Sequence, residues 1–440
     1  MKTTSHMPWA FVPTLYLAEG FPYIVINTVS VLLYQDLGLP NDQITYWTGW
    51  LYLPWVLKMF WSPVVDAHAT KRRWLLAAQA ILSLLFLSIA GILTWNAFAY
   101  AGENGLLSTF RLTLFGFFIG AFASATLDIA TDGYYLLALT PKDQSLFVGV
   151  RTFFYRVAMI LGSGILISAT GALTERGWMD KPYNWACLFG FLGLLFGLFA
   201  LFHTFILPKP TEDKAVQTGQ LHAWKDAFAT YLTQRNILYI LLFILLYRFG
   251  EALLEKIVPL FLLGPAEDGA LAMSKQSFGL IKGTLGLGGI IAGNLLGGWL
   301  LSKFSFKKCI WPFACCLVLP NFFYVYLAVA KPGLVTIATL ITLENFGYGL
   351  AMMALTVFIM YVSQGKYKTS HYAISTGIMA LGMMVPAMLS GKMQVALGYE
   401  KFFWVTAFIS LLSFAVVPLC FKIKTLEETE ERFKQNKPLS

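Results

Sequence analysis

Apolar runs of roughly 17 to 25 residues, each long enough to cross a bilayer as a helix, recur along the whole chain with short polar interruptions. They predict spans near 8–34, 44–66, 74–95, 108–139, 146–173, 183–207, 236–263, 277–302, 308–330, 334–362, 371–396 and 400–423. Hydrocarbon offers open backbone groups no partner, so the spans must be helices and the fold class is all-α. The first run begins at Pro8 without a basic leader and continues too far for a cleaved signal, so it reads as the first span of the mature chain.

The longest polar connection runs from Leu207 to Asn236 and leaves six spans on either side. The expected organisation is therefore a first bundle over 1–207, a central loop over 208–235, a second bundle over 236–424 and a tail over 425–440. A short repeat supports it. "WSPVVDAHATKRRW" (61–74) follows the second span and "GGWLLSKFSFKKCIW" (297–311) follows the eighth. Each is a helix end with a short loop carrying adjacent basic residues. Any cytoplasmic loop tends to be basic, so the repeat gains its weight from the six, loop, six arrangement around it. Duplicated halves suit a carrier whose substrate site opens to one side and then the other. The run "GTLGLGGIIAGNLLGG" (283–298) lets backbones approach closely, for packing or for sliding.

Composition agrees with a polytopic membrane protein: 57% of residues are hydrophobic and 12% charged, against about 25% charged in soluble domains. The net charge of +9 could point to nucleic acid, but its placement argues otherwise. Lys71, Arg72, Arg73, Lys209, Lys225, Lys303, Lys307 and Lys308 fall on alternate connections, whereas the others hold few cations, among them Arg176, Lys181, Lys275, Lys331 and Lys401. The positive-inside rule then puts both termini in the cytoplasm, with the lipid bilayer and not a polyanion as the partner. The five cysteines lie in or beside apolar segments and read as packing residues, with no metal or cofactor implied.

Charges inside spans are the candidate chemistry, because a charge at the centre of a membrane helix costs about 2.5 to 3.5 kcal/mol on insertion scales. In "TLDIATDGYYLL" (126–137), Asp128 and Asp132 are four apart and share one helix face, which must look away from lipid. Two carboxylates so close, in a poorly solvated place, favour a bound proton. The pair reads as proton-responsive, balanced by Lys58 of the second span or by Arg151 and Arg156 of the fifth, with the deeper Arg156 preferred. A structural salt bridge between helices is the competing role. Glu19, beside Gly20 and Pro22, joins the proton-coupling candidates on a span those residues allow to bend. Arg248 and Glu251, three apart in the seventh span, and Glu344 and Asn345 in the tenth are candidate substrate contacts or cavity charge partners. Lys282 and His371 are weaker ones, the latter resembling an interfacial histidine. Asp66 with Lys71 and Arg72 reads as a cytoplasmic latch between helices.

The chain has no GxxxxGK[ST], HExxH or GxSxG motif, and its loops are too short for a soluble catalytic domain. Transport powered by ATP on this chain is not expected, nor is an enzyme. An integral-membrane transferase would need catalytic groups at a membrane surface, and the charges here sit within spans.

Five segments together resemble the AmpG-type muropeptide permeases of the major facilitator superfamily, relatives of the acetyl-CoA transporters. They are "LPWVLKMFWSPVVDAHATKRRWLLAAQ", "LDIATDGYYLLAL", "YRVAMILGSG", "LLYRFGEAL" and "ENFGYGLAMMAL". The resemblance covers most of the chain. It implies a major facilitator fold of 12 transmembrane helices in two pseudo-symmetric six-helix bundles around a central cavity. It also implies proton-coupled import of anhydro-muropeptides across the bacterial inner membrane, and a monomer is the default for a duplicated carrier. Asp128 and Asp132 fall on the family's paired aspartates, Lys58 and Asp66 on its second-span pattern, Arg156 on its Tyr-Arg, and Glu344 and Asn345 on its tenth-span pair. Leu127 replaces a common Gln, Arg248 a common Lys and Glu251 a common Asp. Another carrier of the superfamily, for a siderophore, a drug or an anionic CoA-like metabolite, is the alternative, with Arg151, Arg156 and Arg248 suited to an anion.

Overall fold

The computed structural model describes residues 7–99, 103–139, 141–179, 183–211, 213, 220–363 and 368–423, and among them every regular element is helical. The tail over 425–440 and positions 214–219 of the central loop lie outside the described residues. In chain order the α-helices are α1 (Met7–Ile24), α2 (Ser30–Asp36), α3 (Asn41–Gly49), α4 (Leu53–His68), α5 (Lys71–Ala99), α6 (Glu103–Ala138), α7 (Pro141–Ile160), α8 (Ile167–Glu175), α9 (Tyr183–Ile206) and α10 (Gln220–Leu232). They continue as α11 (Ile237–Leu246), α12 (Phe249–Leu263), α13 (Lys275–Phe278), α14 (Leu287–Lys303), α15 (Phe306–Val318), α16 (Asn321–Ala330), α17 (Leu334–Val362), α18 (Lys368–Ser410) and α19 (Leu412–Cys420).

Ten described helical stretches are long and apolar enough to cross a membrane, where the sequence pattern predicts twelve. Two local features account for the difference. The stretch expected over 44–66 is helical on both sides of a 3-10 turn at Trp50–Tyr52, but its Tyr, Trp and Pro residues with Lys58 and Asp66 make it less apolar than the ten. The two expected at 371–396 and 400–423 run together as Ser370–Cys420, a stretch of 51 residues. Within it Gly398 adopts φ 73° and ψ 168°, a conformation open essentially to glycine alone, so the chain turns there without a loop.

Contacts divide the chain into two compact units. Unit 1 takes Met1–Pro40, Trp50–Thr218 and Ser274–Gly283, and unit 2 takes Asn41–Gly49, Gly219–Met273 and Thr284–Ser440. In unit 1, α5 packs along α9 and α6, and α1 along α7. Gly20 sets the closeness of the last pair, since a Cβ there would lie 2.7 Å from the Tyr155 carbonyl oxygen. Three residues beyond Pro22, α1 loosens into a π-helical turn at Val25–Val29, the irregularity that Gly20 and Pro22 lead one to expect.

In unit 2, α14 lies against α17, with Gly289, Gly293 and Gly297 facing that helix's backbone and side chains, so the glycine run serves close packing. A buried cluster of Phe243, Phe306, Phe313, Phe358 and Val417 joins α11, α15, α17 and α19. In both units apolar positions run all around the long helices, which leaves outer faces such as Leu194, Leu198 and Phe205 of α9 exposed for lipid to cover.

Candidate functional site

Unit 1 gathers most of the intramembrane charges on four helices. Asp128 and Asp132 stand one turn apart on α6. Lys58 of α4 donates a 2.6 Å bond to Asp128 Oδ2. Asp132 Oδ1 accepts from the Tyr16 hydroxyl of α1 at 2.9 Å and from Arg151 of α7 at 3.1 Å. The same guanidinium donates to the Tyr16 oxygen and lies 5.4 and 5.2 Å from the Tyr16 and Tyr135 ring centres, so stacking and hydrogen bonds fix it together. Glu19, one turn along α1 from Tyr16, is buried, and its Oε2 has no hydrogen-bond partner. Its charged neighbours are Asp128, Asp132 and Lys58.

The aspartates are accessible despite lying within a span: 22% of the Asp128 side chain and 51% of the Asp132 side chain are exposed. Their ion pairs run to Lys58 and Arg151. Arg156, the counter-ion preferred from sequence depth, bonds along its own helix to the Met159 sulfur at 3.6 Å. Tyr16 was not singled out from the sequence, although it lies three residues before Glu19 and so on the same helix face. Tyr23 and Trp55 meet edge to face at 5.3 Å, and Tyr155 lies near Tyr23, Glu19, Asp128 and Arg156.

Unit 2 holds a second polar group of a different kind. Arg248 occupies the break between α11 and α12, with φ −114° and ψ 18°. Its guanidinium bonds to the Tyr348 hydroxyl and lies 4.8 Å from that ring's centre. Glu344 Oε2 accepts from the Tyr324 hydroxyl at 2.9 Å and from Asn345 Nδ2 at 2.8 Å, and Asn345 also donates to the Ile341 carbonyl. Glu251, in the first turn of α12, is an electrostatic neighbour of Tyr324. Glu344 is only 5% exposed and Glu251 only 7%. His371, at the start of α18, is held by Thr230 Oγ1 and the Ala227 carbonyl of α10, both at 3.1 Å.

Of the expected latch, the Asp66 side chain lies outside the described residues. Lys71 and Arg72 open α5, and the carboxylate their amides meet is Asp213 of the central loop. It accepts from the Lys71 backbone N–H at 2.7 Å and from that of Arg72 at 3.1 Å. An anion there satisfies amides that the first helical turn leaves open. The Arg72 side chain donates to the Thr204 and Leu207 carbonyls at the end of α9. A second clamp was not foreseen. Lys275 pairs with Asp36, whose Oδ2 also accepts from Trp185 Nε1 at 2.9 Å, and the ammonium lies 4.9 Å from the indole centre. Among the described residues no group of His, Cys, Asp and Glu is arranged to hold a metal ion.

Comparison with known proteins adds the following. A family model described as Major Facilitator Superfamily matches residues 14–370. The chain is 24% identical over 410 residues to a protein named putative transporter AmpG 4 from Rickettsia felis, covering 90% of this chain and 92% of that one. It is 23% identical over 381 residues to the anhydromuropeptide permease of Escherichia coli K12, covering 85% of this chain and 72% of the relative. Among solved structures, a D-xylose-proton symporter superposes with a TM-score of 0.71 at 14% identity, covering 94% of this chain and 97% of the other. At that identity the likeness speaks for the fold alone.

Proposed function

The chain belongs to the Major Facilitator Superfamily, and from that premise we propose that it is a proton-coupled symporter importing anhydro-muropeptides or related amino-sugar and peptide wall fragments. The observation that carries the reading is the charge cluster in unit 1. Three carboxyl groups, Glu19, Asp128 and Asp132, are met by two paired cations, Lys58 and Arg151. Glu19 lies buried beside the aspartates with no hydrogen-bond partner for its Oε2, and a carboxyl so enclosed next to other carboxylates is a natural place for a proton. The exposed parts of Asp128 and Asp132 have to meet water, since hydrocarbon would not tolerate the ion pairs.

Coupling then follows from competition. A proton on Asp128 cancels the charge that holds Lys58, and the released ammonium becomes available to an anionic group of the substrate, such as a peptide carboxylate. Loss of the proton restores the pair and expels that group. Arg151, fixed by Asp132 and two tyrosine rings, and Arg156 on the same helix contribute standing positive charge. Tyr23 and Trp55 offer faces on which sugar rings can stack. In unit 2, Arg248, Glu251, Glu344 and Asn345 supply donors and acceptors for the polar substrate. Lys71 and Arg72, with Asp66, act as the latch on the cytoplasmic side.

The proposal includes a bacterial inner-membrane location, both termini in the cytoplasm, a monomer, and six-helix halves over 1–207 and 236–424. The names of the AmpG relatives favour the substrate class. The cations at Arg151, Arg156 and Arg248 keep a second reading open, a carrier for a siderophore or another anionic metabolite. The test is uptake of labelled anhydro-muropeptide into membrane vesicles under an imposed pH gradient. Accumulation that follows the gradient and vanishes in Asp128→Asn supports the proposal. Accumulation of a siderophore alone supports the second reading. Muropeptide uptake indifferent to the gradient removes proton coupling, and chemical turnover without net movement removes transport.

A further inference from the structure

Unit 1 carries a groove of about 710 Å³ that takes no part in the charge cluster. Its floor is made of small residues, Ala90 and Gly91 on α5 and Ala186 and Gly190 on α9, and Trp178 and Met179 cover one end. The groove is open here for lack of side chains. A Cβ on Gly91 would meet nothing within 4 Å, and one on Gly190 would meet only Ala90, at 3.9 Å. Farther along, the same pair closes: Ser83 Oγ donates to the Gly193 carbonyl at 2.7 Å, and the Leu87 side chain fills the space over Gly193. Outside the groove, α5 and α9 present Leu84, Leu194 and Leu198, each more than half exposed, so this face belongs to the membrane.

We propose that the groove is a binding site for one acyl chain of an anionic phospholipid, with the headgroup phosphate on Arg176. Length argues for a lipid tail. From Tyr183 at the rim to the closure at Gly193 the groove follows ten residues of α9, about 15 Å at 1.5 Å per residue, which is roughly half of a 30 Å hydrocarbon core, or one leaflet. A partner helix would need the whole face and is stopped by Leu87 at Gly193. Charge argues for an acidic headgroup. The Arg176 guanidinium lies 5.1 Å from the centre of the Trp178 ring, and Trp178 covers the groove's end. Arg176 makes no ion pair among the described residues, although Glu175 is exposed beside it. A tryptophan at this depth also suits the interface between headgroups and tails. The site sits at the end of unit 1 away from the Lys71, Arg72 and Asp213 clamp, in the leaflet opposite the central loop.

The test uses the full chain in nanodiscs with phosphatidylglycerol bearing a photoreactive group on one acyl chain, compared with the equivalent phosphatidylcholine. Adducts mapped by mass spectrometry are expected to concentrate on α5 around Gly91 and on α9 around Gly190, with at least severalfold preference for phosphatidylglycerol. Gly91→Phe and Gly190→Leu have room for their side chains and should cut those adducts about tenfold. Arg176→Gln should remove the preference for the acidic lipid while leaving tail labelling in place. Leu198→Phe, on the same face outside the groove, should change nothing. Adducts spread evenly over the α5 and α9 face would mean annular lipid only and overturn the proposal. So would labelling unaffected by Gly91→Phe and Gly190→Leu, or capture of a hydrophobic helical peptide in place of lipid. The readout is independent of transport, so it stands or falls apart from the substrate reading.

Discussion

The two units treat their buried carboxylates differently. In unit 1, Asp128 and Asp132 each face a cation and keep part of their surface accessible, and Glu19 lacks a partner for one oxygen. In unit 2, Glu344 is almost wholly enclosed and accepts from both Tyr324 and Asn345. An accessible ion pair can exchange its cation for a proton at modest cost, because water and the other groups of the cluster take up the change. A carboxylate enclosed by hydrogen-bond donors meets little water and holds its neighbours in place. On the proposed function, the difference leads us to expect proton exchange in unit 1 and polar contacts of constant charge in unit 2.

Four experiments bear on that contrast. The largest effect is expected from Asp128→Asn, which should abolish gradient-driven accumulation in vesicles while leaving the protein folded by circular dichroism. A variant that still accumulates substrate would end the contrast at once. Tyr324→Phe in unit 2 should do the reverse. Removing a donor from a buried carboxylate costs roughly 1 to 3 kcal/mol, read as a lower melting temperature in detergent, with the pH profile of uptake unchanged. A shifted profile there would give unit 2 a share in the proton chemistry. A cycle of Lys58→Met and Asp128→Asn should show coupling of roughly 0.5 to 3 kcal/mol in stability, and the double variant should be more stable than Asp128→Asn alone. Additive losses would mean that the two groups are not paired in solution. The smallest effect is expected from Asp213→Ala, a loss of about 1 kcal/mol typical of an N-terminal helix partner. Its measure is slightly earlier thermal unfolding with uptake retained.

Much of the helical layout was legible because apolar length alone specifies a span. The paired aspartates were legible for the same kind of reason, since a spacing of four puts two groups on one face whatever surrounds them. Choosing between Arg151 and Arg156 was not. Both lie on α7, and which one reaches Asp132 depends on how far that helix slides along α1, which Gly20 and Ala158 decide by contact. Lys58 was visible as a candidate, but the 3-10 turn that divides the stretch carrying it leaves no mark on the apolar pattern. Asp213 sits in a loop rich in charge and reads as solvated, and only the folded chain brings it to the first turn of α5. Lys275 counted toward topology alone, because nothing in its neighbourhood marks Trp185 and Asp36 as its companions. The break at Gly398 was legible as the gap between the last two predicted spans, although nothing in the sequence says that a single residue makes it with helix continuing on both sides.

The bond from the Lys71 amide to Asp213 joins positions 142 apart in the chain. A ribosome adding about 5 to 20 residues per second needs roughly seven to thirty seconds to cover that distance. Throughout that interval the start of the third span is already made while its anchor is still being translated. The opening turn of α5 must therefore fray or borrow a temporary anion until the central loop emerges, so the first half of the protein is finished by a residue that lies beyond its last span.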